Sequence, residues 1–193
     1  MHIRLGAILI IGAVAIVGTH HWQNKLLRDS AKALELSIRA TKVSHADPDG
    51  AVLLIEQATA LDPNNASIWY DASGIYGVKA MAAYVPKETG HIVWLEKSID
   101  AARRADELSD DWFYTRDHAD TLLFAYMYQY NSADLDFALA LYKSIPDTGN
   151  MDVNRNIHVR VKAVERILAD RKEFFNDPND TGRSTADSDH RVL

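Results

Sequence analysis

Residues 51–76 read AVLLIEQATALDPNNASIWYDASGIY, and this stretch decides the fold. Ala51, Ile55 and Ala58 follow one another at spacings of four and three, which puts them on one face of a helix. The helix ends at Asp62-Pro63-Asn64-Asn65, because proline lacks an amide hydrogen and disfavours helical backbone in the residue before it. A second helix then carries Trp69 and Tyr76, two large side chains two turns apart. Small residues at 51 and 58 let the paired helices approach closely, while Trp69 and Tyr76 supply the knobs.

Outward from this hairpin the chain repeats the same grammar. Residues 25–43 read as a helix in which Leu27, Ala31, Leu34, Ile38 and Thr41 step by four, three, four and three. Asp47-Pro48 supplies an N-cap and a first-position proline for a helix to about Leu61. Further helices are predicted over about 66–84, 91–108, 111–130, 133–144 and 152–174, separated by turns rich in Pro, Gly, Asp and Asn. In the last of these, Ile157, Val161, Val164 and Leu168 form an apolar stripe among charged faces, the pattern of a capping helix. The polar stretch 175–193 reads as a disordered tail.

The segment Ala51–Tyr76, with Ala51, Ile55, Ala58, Pro63, Trp69 and Tyr76 as its signature, resembles the tetratricopeptide repeat: the second helix of one repeat, a turn, and the first helix of the next. Outside it the pattern is degenerate. Ser73 stands where the family has glycine, Gly74 lies one place on, and Trp69 and Trp112 are 43 residues apart rather than about 34. The resemblance implies an all-α solenoid of about three helical hairpins over 25–174 with a C-terminal capping helix. It also implies a concave groove that binds a partner peptide. Groove-facing positions are then Ser67, Tyr70, Gly74, Gly77 and Val78. Members that clamp a C-terminal carboxylate do so with Lys and Asn. Tyr70 and Gly74 stand at such places here, so an apolar or aromatic peptide contact fits better; the alternative is that these small residues serve only close helix packing. Trp112 and Phe113 join the partner-binding set, because the dense aromatics of 112–130 cannot all share the buried face.

The N-terminus adds a second theme. From Leu5 to Asn24 there is no Lys, Arg, Asp or Glu. Twenty residues at about 1.5 Å rise match the roughly 30 Å hydrocarbon layer. Residues 1–24 are therefore expected to be a transmembrane anchor, with Trp22 at the interface. Ala13-Val14-Ala15 resembles a signal-peptidase site, but the apolar run continues through Ile16 and Val17, which favours an uncleaved anchor. Flanking charges do not decide orientation and, taken literally, lean toward a cytoplasmic domain. A short tail ahead of a folded domain reads instead as a signal anchor, with the domain in the periplasm of a bacterial inner membrane.

Composition narrows the chemistry. The chain has no cysteine, which removes disulfides, thiolate metal sites and a cysteine nucleophile. Residues 44–136 carry 16 Asp/Glu against 6 Lys/Arg, which argues against nucleic-acid binding. The basic stretch 154–172 reads as a solvated helix face. No phosphate loop, His-Glu-x-x-His or Gly-x-Ser-x-Gly is present. His20-His21 reads as an interfacial polar pair, and Asp117-His118-Ala119-Asp120 as a solvated face. The expectation is a membrane-tethered, non-enzymatic scaffold with no cofactor, binding membrane-complex proteins. The alternative is an accessory subunit that only fills space in a large membrane assembly.

Overall fold

A computed structural model describes residues 2–86, 88–128 and 134–175, with side chains from Trp22 to Arg171 within that range. Its described residues form seven helices and no strand: α1 (His2–Val43), α2 (Pro48–Leu61), α3 (Ala66–Ala83), α4 (Ile92–Glu107), α5 (Trp112–Met127), α6 (Leu135–Ser144) and α7 (Met151–Phe175). Among the described residues no helix is long and apolar enough to cross a membrane. The side chains of the 1–24 segment up to His21 lie outside that description, as does the tail from 176 onward. The chain divides into two compact units, residues 1–133 and 134–193.

The first unit is built on the α1–α2 and α3–α4 hairpins, with α5 added against α3 and α4. Local chemistry sets the ends. The Asp47 side chain accepts from the Gly50 amide at 2.9 Å with Pro48 at the first helical position, so α2 starts there. Asn65 caps α3 by accepting from the Ser67 amide, and the Trp69 indole donates to the Pro63 carbonyl at 2.9 Å, tying α3 back to the turn. Ala33, Ala40, Ala51, Ile55, Ala58, Ile68 and Ala72 are fully buried, with Tyr76 nearly so. The alanines allow close helix approach, and Ile55 and Ile68 fill the space between. Tyr76 stacks on Trp94 of α4, and the Lys97 ammonium lies over both rings while pairing with Glu56 of α2 at 2.9 Å.

α1 departs from the sequence expectation. Its buried face is Ala33, Leu36, Ser37 and Ala40, while Leu27, Ala31, Leu34, Ile38 and Thr41 are exposed. The helix is apolar on two sides, and periodicity alone marks both. The choice is made by serines. Ser30 donates to Asp62 at 2.6 Å and Ser37 donates to Asp71, which turns the serine side toward α2 and α3.

In the second unit Asp134 caps α6 by accepting from the Phe137 amide, and Leu135, Ala138 and Tyr142 pack with Ile157 and Val164 of α7. Val161 and Leu168, on the same stripe, are half-buried, and Lys143 pairs with Glu165 at 2.9 Å. The helices joined in this unit are α6 and α7; α5, expected as the partner of α6, belongs to the first unit.

Candidate functional site

The C-terminal end of α1, one face of α3 and one side of α5, with Ser98 of α4, border an open cavity of about 420 Å³. Thr41, Ser44 and His45 form one rim; Tyr70, Asp71, Gly74 and Val78 of α3 form the floor; Asp117, Asp120 and Phe124 of α5 form the opposite wall. Ser73, Ser98 and Thr121 close the back. These three hydroxyls touch one another: Ser98 donates to the Ser73 carbonyl at 2.8 Å, and the Ser73 hydroxyl lies 3.3 Å from that of Thr121.

Four of the residues assigned from sequence converge here, Tyr70, Gly74, Gly77 and Val78. Ser67 does not; it lies exposed in the first turn of α3, outside the cavity. Trp112 and Phe113 stand beside the cavity rather than in it. The Phe113 ring lies 5.0 Å from Tyr70 and 6.4 Å from Trp112. Arg116 sits 4.9 Å from the Phe113 ring and 5.5 Å from Trp112.

The glycines answer the packing question. A Cβ on Gly74 would meet no atom within 4 Å, and one on Gly77 would make ordinary contacts at 3.7 Å. Neither glycine is demanded by a close helix crossing. What the absence of a side chain at 74 does is keep the cavity floor open.

Sequence reasoning missed the acidic wall. Asp117 and Asp120, three residues apart on α5, face the cavity rather than solvent, and Asp71 joins them from α3. Burial pushes the Asp117 carboxyl up to about 7, the charge of Asp120 adds to this, and Arg116 opposes it. Asp117 Oδ2 is buried with no hydrogen-bond partner among the described residues. Burial also raises Asp71, against the Ser37 hydrogen bond, and raises Tyr70, with the Asp117 charge as the second cause. Arg116 approaches the wall, its Nε 4.0 Å from Asp120 Oδ2. The available signal was the spacing of Tyr70, Asp71, Gly74 and Val78, which puts an aspartate beside the groove positions.

His118 takes a different part. It is buried, and its Nδ1 lies 3.1 Å from Asp106 Oδ2, so the carboxylate accepts the ring N–H; Asp106 also accepts from Thr115 at 2.7 Å. Burial lowers its pKa, with Asp106 opposing, and its bond to Asp106 braces α5 against α4. The 117–120 segment is therefore not a solvated face: both its ends line a cavity and its middle is interior.

Comparison with known proteins finds no match: no family model, no curated protein and no solved structure corresponds to this chain. Among the described residues no group of three His, Asp or Glu side chains is placed to hold a metal ion. The cavity has the makings of a binding site. It is concave, partly apolar, lined by hydroxyls, and short of positive charge.

Proposed function

We propose that the chain is a membrane-tethered scaffold whose first unit receives a segment of a protein partner, with a lysine or arginine of that segment entering the cavity. The observation that carries this reading is Asp117 Oδ2, a buried carboxylate oxygen left without a partner on a wall it shares with Asp120. A buried carboxylate is costly unless protonated or met by a donor. An incoming ammonium or guanidinium supplies the donor. Tyr70, Val78, Met81 and Phe124 offer apolar surface for the stem of such a side chain.

The resemblance of Ala51–Tyr76 to tetratricopeptide repeats supports the same reading, since those repeats present the face of α3 to peptides. The acidic lining extends the departure noted at Tyr70 and Gly74, because a carboxylate clamp needs cations where this cavity has aspartates. The uncharged run Leu5–Asn24 supports the tether, and α1 carries it directly into the domain. An uncleaved anchor in a bacterial inner membrane, with the domain in the periplasm, remains the orientation this reading favours.

The test is co-purification from mild detergent of the full chain and of Tyr70→Ala and Asp117→Asn variants. Loss of a stoichiometric partner from both variants, with the fold intact by circular dichroism, is the expected result. Retention of the same partner by both would rule out the cavity and leave the accessory-subunit reading in its place.

A further inference from the structure

The uncovered side of α1 is a patterned surface. Leu27 is 70% exposed, Leu34 48% and Ile38 46%, and Ala31 between them is also exposed. Their spacing of four, three and four is that of a heptad seam, with Leu27 and Leu34 at d and Ala31 and Ile38 at a. One step toward the N-terminus the a position is Asn24, and one step toward the C-terminus the d position is Thr41.

We infer that this seam pairs two copies of the chain as a parallel two-stranded coiled coil along α1. The residue types select that occupant. Leucine at d with β-branched isoleucine at a favours two parallel strands, and a single asparagine at a fixes register and strand number. On one flank, the g positions Ser30 and Ser37 are already bonded to Asp62 and Asp71 of their own protomer, so the domain lies beside the seam and leaves it open. On the other flank, the e positions Arg28, Glu35 and Lys42 alternate in sign and present no single-sign repulsion. Two copies held by residues 1–24 in one membrane would enter the seam in the same direction, so the parallel sense agrees with the tether.

Because the chain has no cysteine, single substitutions give a clean readout. Full-length protein in mild detergent carrying Leu27→Cys or Leu34→Cys should each form a disulfide-linked dimer on mild oxidation. Lys32→Cys, on the charged side, should stay monomeric. Parallel pairing brings both leucines to their own copies; antiparallel pairing brings at most one. Leu34→Asp should weaken self-association at least tenfold in sedimentation experiments, while leaving the helicity of the monomer unchanged. A monomer mass at micromolar concentration would overturn the inference, whether the seam then meets lipid or another protein. So would crosslinking at only one leucine, or equal crosslinking at position 32.

Discussion

Asp117 and Asp120 lie three residues apart on α5 and face the same cavity, yet only Asp120 has a cation within 4.0 Å. Burial, with the Asp120 charge adding to it, makes Asp117 the group on which pH acts. Its folded-state pKa, near 7, lies above the ordinary aspartate value of 3.8, so the folded protein holds a proton that the unfolded chain releases. Stability from this source is fully present below about pH 4 and is lost as pH rises through 7.

Asp117→Asn removes that dependence. The variant should match the wild type near pH 4 and exceed it near pH 8 by on the order of 2–4 kcal/mol, the span set by the size of the displacement. Urea denaturation followed by circular dichroism from pH 4 to 8 measures the difference. A gap that does not widen with pH would show that the carboxyl is solvated in the folded state.

His118 acts with the opposite sign. Its pKa is lowered in the fold, so the unfolded chain binds the extra proton, and stability is lost as pH falls below about 6.5. In His118→Gln a donor to Asp106 remains without titration. The stability difference between wild type and variant should therefore shift against the wild type on acidification. A pH-independent difference would mean that the ring titrates alike in the folded and unfolded protein, and a shift in favour of the wild type would mean that the fold holds it charged.

Gly74→Leu puts a side chain into the cavity from a position where a Cβ meets no atom within 4 Å. Replacing a helical glycine with leucine favours the helix by up to about 1 kcal/mol, so thermal stability should hold or rise. Partner capture in the co-purification assay should be lost. A folded Gly74→Leu protein that retains its partner would move the contact away from the cavity.

Ile55→Ala empties the centre of the first unit, where that side chain is fully buried. The expected cost is about 2–5 kcal/mol. Asp47→Ala removes only the cap of α2 and should cost about 1 kcal/mol. Urea midpoints followed by tryptophan fluorescence order the two, and an equal effect would show that Ile55 does not anchor the core.

Much of the helical layout could be read in advance because turn chemistry is local. Asp47-Pro48, Asp62-Pro63 and Asp111 mark helix ends within a few residues of themselves, and the structure has helices ending or beginning there. The buried face of α1 could not be read, because two apolar stripes compete and the serines that decide between them act through Asp62 and Asp71, more than thirty residues away. The cavity was half legible. Tyr70, Gly74, Gly77 and Val78 share a helical face that spacing reveals, whereas the opposing Asp117 and Asp120 reach it only through the packing of α5 on α3. A short-range reading of Asp117-His118-Ala119-Asp120 sees four polar or small residues and nothing that separates wall from interior.

The back of the cavity is made of Ser73, Ser98 and Thr121, and a hydroxyl is able both to give and to take a hydrogen bond. Such a wall is amphoteric. By turning its protons, with no heavy atom displaced, it can meet a peptide carbonyl or a peptide amide. Under the proposed function, tolerance for a guest's backbone would be separated from choice of its side chain: the hydroxyls would accommodate, and the aspartates would select.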